Sequence, residues 1–179
     1  MVKLQGEKVY LTTLEREHCK KIWEDTEYNF DQPTEQFIVG QSSYNADAWF
    51  EEIQKAQGKQ HIRLGIFLPD ETVIGDIALQ DIDWKNRSCT LGYGITKLTY
   101  RGKGYTTDAV KTILRYGFNH IGLERVSATT QEGNVGSRRV LEKCRFTLEG
   151  CERKAEYLHG KRYDRLIYGL LAEEFNFCI

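Results

Sequence analysis

The sequence predicts an α+β fold, a mixed and mostly antiparallel sheet of about seven strands with one central parallel pair, flanked by about four helices. Three observations carry that expectation. The apolar runs "IRLGIFL", "TVIGDIALQDID" and "SCTLGYGIT" follow one another with only short turn signals between them, the pattern of an antiparallel meander. From Tyr105 a helical period replaces the strand period, and a strand from Arg125 follows, so the strand, helix, strand unit sets two strands parallel. Two final runs then meet at His159-Gly160 as a terminal hairpin.

Taken in order, Val9 to Leu11 reads as a short strand. Thr12 or Thr13 offers a cap to a helix whose positions Cys19, Ile22, Trp23 and Thr26 keep helical spacing. Asn29 to Asn45 has no clear period. A second helix, roughly Asp47 to Gln57, sets Trp49, Phe50, Ile53 and Ala56 on one face, with Asn45 or Asp47 as its cap. Turns are signalled at Pro69-Asp70 and at Lys85-Asn86-Arg87.

In the third helix Val110, Ile113, Leu114, Gly117, Phe118 and Ile121 fall at i, i+3, i+4, i+7, i+8 and i+11, a buried stripe of about four turns. A strand at Arg125 to Gln131 and a short helix at about Val135 to Cys144 follow. The last strands span roughly Thr147 to Leu158 and Tyr163 to Leu171. With 179 residues, 40% of them hydrophobic, the chain suits one core, and residues 1–179 are expected to form a single domain.

Charge and cysteine usage narrow the function. Lys and Arg number 25 against 26 Asp and Glu, a formal charge of -1, so no overall basic field favours nucleic acid or an anionic membrane. Cys19, Cys89, Cys144, Cys151 and Cys178 are scattered and contain no C-x-x-C pair, which suggests reduced thiols rather than a disulfide framework or a metal site. The opening "MVKLQGEKVY" carries charges where a signal peptide needs an apolar run, and no stretch approaches the roughly 20 apolar residues of a membrane span. A soluble cytoplasmic protein without nucleic-acid or membrane partners is expected.

The segment "YRGKGYTTDAV", Tyr100 to Val110, invites an anion. It is not a Walker loop, because Gly102-Lys103 is followed by Gly104 and no earlier glycine has the spacing. A dinucleotide fingerprint fits poorly, with Thr107 where the third glycine belongs. A plain strand-to-helix turn with Arg101 and Lys103 solvated is one reading. The other is a pyrophosphate site, since two glycines let successive N–H groups turn inward at a helix N-terminus beside two cations. Asp108 slightly opposes an anion there, yet suits the helix dipole.

At these residues the chain resembles a known family. "RGKGYT" is similar to the pyrophosphate-binding pattern of the GNAT superfamily of N-acetyltransferases, an Arg or Gln, two residues, Gly, one residue, then Gly or Ala, with Thr106 departing at the last place. The element order is also that family's. "NVGSRRVLEKCRF", Asn134 to Phe146, resembles its Asn-x-x-Ser helix ending in Lys-x-Gly-Phe, with Arg145 in place of the glycine. "LEGCERKAEYLHGKRYD", Leu148 to Asp164, is similar to the end of the ribosomal-protein serine and alanine N-acetyltransferases, the Rim branch.

The resemblance implies the GNAT fold, acetyl-CoA as cosubstrate without a metal, and direct attack of an amine with no acyl-enzyme. It implies that Arg101, Gly102, Lys103, Gly104, Tyr105 and Thr106 hold the pyrophosphate, Tyr105 and Thr106 through backbone donors. The backbone of Tyr93, Gly94 and Ile95 is then expected along the pantetheine arm, with N–H groups near Ile95 facing the thioester carbonyl. Gly92 and Gly94 would permit a bulge or close approach there, or only relieve packing around Tyr93. Asn134 would bond the pantetheine, or simply cap its helix. Of the adjacent Arg138 and Arg139, about 100° apart on a helix, at most one supports a coenzyme phosphate.

For chemistry, Ser137 matches the serine assigned as general acid in the Rim branch and can alternatively be a capping or solvent-facing residue. The tyrosine that many members carry four residues later is Leu141 here, which cannot donate a proton. Glu156 matches that branch's general base acting through water; its alternative is an outward strand residue paired with Lys154 or Arg153. His18, His61, His120 and His159 share no motif and read as surface or packing residues.

The function expected is therefore acetyl transfer to an amine acceptor, an α-amine of a protein N-terminus, peptide or amino-acid-like small molecule, by a monomer or homodimer. A polyamine or antibiotic acetyltransferase is the alternative, with Glu24, Asp25, Glu27, Asp31 and Glu35 as an acidic groove or merely a solvated face. A non-catalytic CoA-binding module is the alternative of another class, left open by Thr106, Leu141 and Arg145.

Overall fold

The structure, a computed structural model, describes residues 3–27 and 42–175. In chain order its elements are β1 (Leu4–Gln5), β2 (Tyr10–Thr12), α1 (Arg16–Asp25), α2 (Ser43–Ala56), β3 (Ile62–Phe67), β4 (Val73–Asp83), β5 (Ser88–Ile95), α3 (Tyr105–Asn119), β6 (Arg125–Gln131), α4 (Val135–Lys143), β7 (Thr147–Leu158) and β8 (Lys161–Leu171), with 3-10 turns at Leu98–Tyr100 and Ala172–Glu174. The strands form one eight-stranded sheet in the order β1-β2-β3-β4-β5-β6-β8-β7. Every neighbouring pair is antiparallel except β5 with β6, as the strand, helix, strand reading requires.

One strand more than expected is present. β1 is only two residues long, Leu4 opposite Leu11 and Gln5 opposite Tyr10, too short to show a period. The helix starts also differ. Thr12 belongs to β2 and Leu14 is fully buried, so α1 begins after Glu15, whose N–H is accepted by His18 Nδ1 at 3.1 Å. α2 starts four residues earlier than its apolar stripe suggests, capped by Ser42; Asn45 sits inside the first turn and accepts the Ser42 N–H at 3.0 Å. β8 begins at Lys161 because His159 and Gly160 both take positive φ, 49° and 76°, the tight turn that keeps Leu158 opposite Lys161. Of the aperiodic stretch, residues 28–41 lie outside the described residues, and with them Asp31 and Glu35; so does Cys178.

Adjacent strand residues divide between two cores, which puts the helices on opposite faces of the sheet. Ile66 and Ile74 join the larger core with Val110, Ile113, Leu114 and Phe118 of α3 and Leu141 of α4. Their neighbours Phe67 and Val73 join the smaller one with Leu14, Cys19, Ile22 and Ile53 on the α1 and α2 face. α3 lies tight against the sheet at Gly117, where a Cβ would stand 3.2 Å from Leu79 Cδ1 and 3.3 Å from Leu123 Cδ1. Among the described residues no helix is long and apolar enough to cross a membrane.

Candidate active site

The central parallel pair is short. β5 and β6 pair only as Ser88 opposite Arg125, Cys89 opposite Val126 and Thr90 opposite Ser127, although β5 runs on to Ile95 and β6 to Gln131. Each strand stays anchored on its outer side, β5 by β4 as far as Gly75 opposite Ile95, and β6 by β8 as far as Gln131 opposite Arg165. The sheet therefore opens into a cleft at the carboxyl ends of the two strands, where α/β sheets commonly bind ligands.

Alternation identifies which backbone groups line the cleft. Thr96 donates its N–H to Ile74 O on the β4 side at 2.9 Å, while Arg87 O accepts from Glu124 N on the β6 side at 2.7 Å. Successive residues point opposite ways, so Leu91, Tyr93 and Ile95 direct N–H and C=O toward the cleft. Gly92 and Gly94 face β4 instead, and the ladder from Gly75 to Gln80 passes them without a bulge. The close approach sits one strand over, where a Cβ on Gly75 would stand 2.0 Å from Gly94 O. A side chain at Gly92 would meet Gln80 Oε1 at 3.1 Å.

Beyond β5 the chain makes its 3-10 turn and enters the glycine loop. Gly102 and Gly104 have φ of 76° and 84°, left-handed values that glycine adopts freely, and Gly104 is the N-cap of α3. The N–H groups of Tyr105 and Thr106 stand in the first helical turn, where donors have no intrahelical acceptor and the dipole favours an anion. Lys103 is exposed, while Arg101 is half-buried.

A further cation comes from the start of the chain. Lys8 Nζ donates to Lys103 O at 3.0 Å and would be 3.2 Å from a Cβ on Gly104. It is carried there by Asp108, only 8% exposed, whose carboxylate accepts the backbone N–H groups of Glu7, Lys8 and Val9 at 3.0, 2.7 and 3.0 Å. Three backbone donors thus converge on this one carboxylate. The sequence offered no sign of this, since the partners lie about 100 residues apart. Lys8, Lys103 and Tyr105 also border a surface cavity of about 570 Å³.

α4 supplies the other wall. Asn134 caps it, its Oδ1 accepting from Ser137 N at 2.9 Å. The Ser137 hydroxyl then reaches Tyr93 on β5, Oγ to Oη 2.8 Å, so this bond joins the two sides of the cleft. Burial pushes the Tyr93 phenol up to about 12, opposed by its bond to Ser137. Leu141 is 1% exposed within the core, not at the cleft. Arg138 turns its Nη1 to Glu132 O at 3.3 Å, and Arg139 is exposed.

Glu156 occupies the opposite face of the sheet. Val126, Ala128 and Tyr168 share the core with α4, so alternation puts Gln131 and its cross-strand neighbour Arg165 on the α1 and α2 face. Arg165 Nε donates to Glu156 Oε1 at 2.9 Å and its Nη1 to Glu152 Oε2 at 3.1 Å. The ion-pair partner of Glu156 is thus Arg165, not Lys154 or Arg153; a β-bulge lies between Glu152 and Glu156, with Lys154 at φ 52°. Gln131, 5% exposed at the end of β6, has its Nε2 buried without a hydrogen-bond partner among the described residues.

A further carboxylate on this face was not anticipated from the sequence. Asp76 pairs with Arg63 and lies across from Gly94, its Oδ1 3.6 Å from a Cβ placed there. Burial pushes its carboxyl above the usual range, and Arg63 works against that. Burial likewise holds the thiols of Cys19, Cys89 and Cys144 up at about 12, leaving roughly one thiolate in 10⁵ near pH 7.

These features coincide with a known family: residues 8–147 match the Acetyltransferase (GNAT) domain. The chain belongs to the GNAT family. A Bacillus subtilis (strain 168) protein, YdaF, provisionally named a ribosomal N-acetyltransferase, is 30% identical over 175 residues, 96% of this chain and 95% of that one. The ribosomal-protein-serine acetyltransferase of Escherichia coli (strain K12) is 27% identical over 108 residues, 60% of this chain and 59% of its own. In fold alone, the GNAT chain superposes on the spermidine N-acetyltransferase of Vibrio cholerae, solved with CoA and spermine, with a TM-score of 0.82 at 18% identity, covering 95% of this chain and 99% of that one. The protein is an N-acetyltransferase by family.

Proposed function

We propose that this chain transfers the acetyl group of acetyl-CoA to an α-amine of a protein N-terminus, a peptide or an amino-acid-like small molecule. The observation that carries the reading is the cleft itself, with a hydroxyl pair on the α3 and α4 face and the Glu156–Arg165 pair on the other. Coenzyme and acceptor then approach from opposite sides of the sheet.

The residues present fit the coenzyme. The left-handed glycines and the α3 N-terminus suit a pyrophosphate, with Arg101, Lys103 and Lys8 as cations. The cleft-facing backbone of Leu91, Tyr93 and Ile95 suits the amides of the pantetheine arm, and the orphaned Gln131 Nε2 and the amide of Asn134 supply further donors. The N–H of Ile95 is the group to polarise the thioester carbonyl.

The amine nitrogen forms the new C–N bond as the C–S bond breaks with its electrons going to sulfur. Glu156, directly or through water, takes the proton that nitrogen must lose, and the Ser137 hydroxyl meets the departing thiolate. Direct attack agrees with the protonated, buried thiols of Cys19, Cys89 and Cys144, none of which is a nucleophile near neutral pH.

The α-amine is favoured for two reasons. With a pKa of about 7.7 to 8.0 it is about 9 to 17% neutral at pH 7, against about 0.04% for an amine near 10.4, so a base already bonded to an arginine suffices. The acidic stretch before the sheet is also committed elsewhere: Asp25 is paired with Lys21 at 2.9 Å and Lys97 at 3.3 Å, and Glu27 Oε2 accepts the Leu98 N–H at 2.8 Å. Fewer charges remain for a polycation.

The test is an acceptor screen with acetyl-CoA against N-terminal peptides, polyamines and aminoglycosides, read by thiol release and mass spectrometry. Acetylation at the α-amine of peptides or amino-acid-like molecules is expected. Turnover confined to polyamines or aminoglycosides would overturn the acceptor assignment. A melting temperature raised by CoA, with no thiol released by any amine, would instead reveal a coenzyme-binding module.

A further inference from the structure

We propose that Tyr93 is a positioning residue for acetyl transfer: its phenol O–H donates to Ser137 Oγ and thereby turns the Ser137 proton toward the sulfur of the departing thiolate. The inference rests on the role assigned to Ser137 above and adds a partner to it.

The bond is 2.8 Å long and crosses the cleft from the end of β5 to the first turn of α4. A serine hydroxyl has one proton to give and lone pairs with which to accept. If Ser137 donates to Tyr93, its only proton points into the wall of the cleft and none is left for sulfur. If Tyr93 donates, the Ser137 oxygen is fixed by one bond and its proton is directed elsewhere. Backbone geometry helps to hold the serine still, because its own N–H is fastened to Asn134 Oδ1 at 2.9 Å. The longer contact from Tyr93 Oη to Ser137 O, 3.4 Å, competes only weakly for the phenol proton.

Burial supports this division of labour. A phenol held up at about 12 stays a donor throughout the working pH range. It is also a poor proton source: a thiol ionises ordinarily near 8.5, so full transfer from Tyr93 to the thiolate would run roughly 10³-fold uphill. Tyr93 therefore keeps its proton. The Ser137 hydroxyl, a weaker acid still, keeps its proton too and stabilises the departing thiolate by donating a hydrogen bond to it. The C–S bond breaks with its electron pair on sulfur, and the proton lost by the amine nitrogen, taken by Glu156, is passed to solvent, from which the thiolate is protonated.

The experiment is a double-mutant cycle on the full chain with Tyr93→Phe, Ser137→Ala and the two combined, using the acceptor with the highest turnover in the screen. Tyr93→Phe is expected to lower kcat about 10-fold or more, with the acetyl-CoA KM and the CoA Kd from calorimetry within about twofold. Ser137→Ala is expected to lose at least as much, and the double variant to be no slower than Ser137→Ala alone. Full kcat in Tyr93→Phe, or losses that multiply in the double variant, would overturn the proposal. Full kcat in Ser137→Ala would instead overturn the role of the serine, whatever Tyr93→Phe does. If Tyr93→Phe fails to fold, as judged by circular dichroism, 3,5-difluorotyrosine at position 93 keeps the ring and makes it a stronger donor. A kcat at or above the parent's, lost when Ser137→Ala is added, supports the proposal, and an equal change in both backgrounds refutes it.

Discussion

The Asp108 carboxylate accepts the backbone N–H of Lys8 at 2.7 Å, and with the neighbouring N–H groups of Glu7 and Val9 it fastens the start of the chain to the first turn of α3. Asp108→Asn removes the charge from this three-donor site while keeping its shape. The expected loss is about 2 kcal/mol of stability, measured by urea unfolding. Because Lys8 is no longer held beside Lys103, the CoA Kd is expected to rise about fivefold by calorimetry, and an unchanged Kd would show that Lys8 does not serve the coenzyme.

Gly104 has φ of 84°, a value that strains a β-branched residue, and a Cβ there would press on Lys8 Nζ at 3.2 Å. Gly104→Val is expected to raise the acetyl-CoA Kd by about 10-fold or more while leaving the far side of the sheet intact. Unaltered affinity would dispose of the loop as the pyrophosphate site.

Arg145 stands in the left-handed region at φ 67°, immediately after α4. Its N–H bonds Glu142 O and that of Phe146 bonds Leu141 O, both at 3.0 Å, while Leu141 and Phe146 meet in the core. This is the Schellman arrangement, in which glycine is favoured. Arg145→Gly is expected to stabilise the protein by about 1 kcal/mol in thermal or urea unfolding, with kcat unchanged. A destabilised variant would mean that the arginine side chain contributes a contact worth more than the backbone strain.

The buried thiols set the alkaline limit. Cys19, Cys89 and Cys144 ionise near their ordinary value of 9.0 once unfolded but only at about 12 when folded. A pKa raised on folding means that the unfolded chain loses protons first, so stability is full below about pH 9 and is lost as pH rises toward 12, by about 1.4 kcal/mol per pH unit for each thiol. Urea unfolding under reducing conditions should show a steep fall between about pH 9 and about pH 10.5, with little change between about pH 7 and about pH 8.5. A flat profile would argue against this burial.

Sequence reading recovered what depends on local periodicity or on a short motif. β6 was legible at Arg125 to Gln131 because its ends are marked by a turn and by Glu132-Gly133, and the loop around Gly104 because glycines at a helix start leave few alternatives. Long-range partnerships were not legible. Nothing near Gly75 announces that Gly94 O lies over it, nothing near Glu156 singles out Arg165, and the Tyr93–Ser137 bond joins residues 44 apart. The expected caps failed for a related reason, since burial of Leu14 decides where α1 can begin. The acidic residues before the sheet looked like a groove as a list, but Asp25 and Glu27 are held by Lys97 and Leu98, far along the chain.

Three residue pairs between β5 and β6 are all that the sheet's ladder has to join its two leaves, one ending in β5 and the other beginning at β6. If the pantetheine arm lies between them, it acts as the missing rungs of that ladder, and the coenzyme becomes a structural member as well as a reagent. At 100 times its Kd a ligand that binds only the folded state adds about 2.7 kcal/mol. The resistance of this protein to unfolding would then track the supply of acetyl-CoA and CoA around it, falling when the coenzyme pool is depleted.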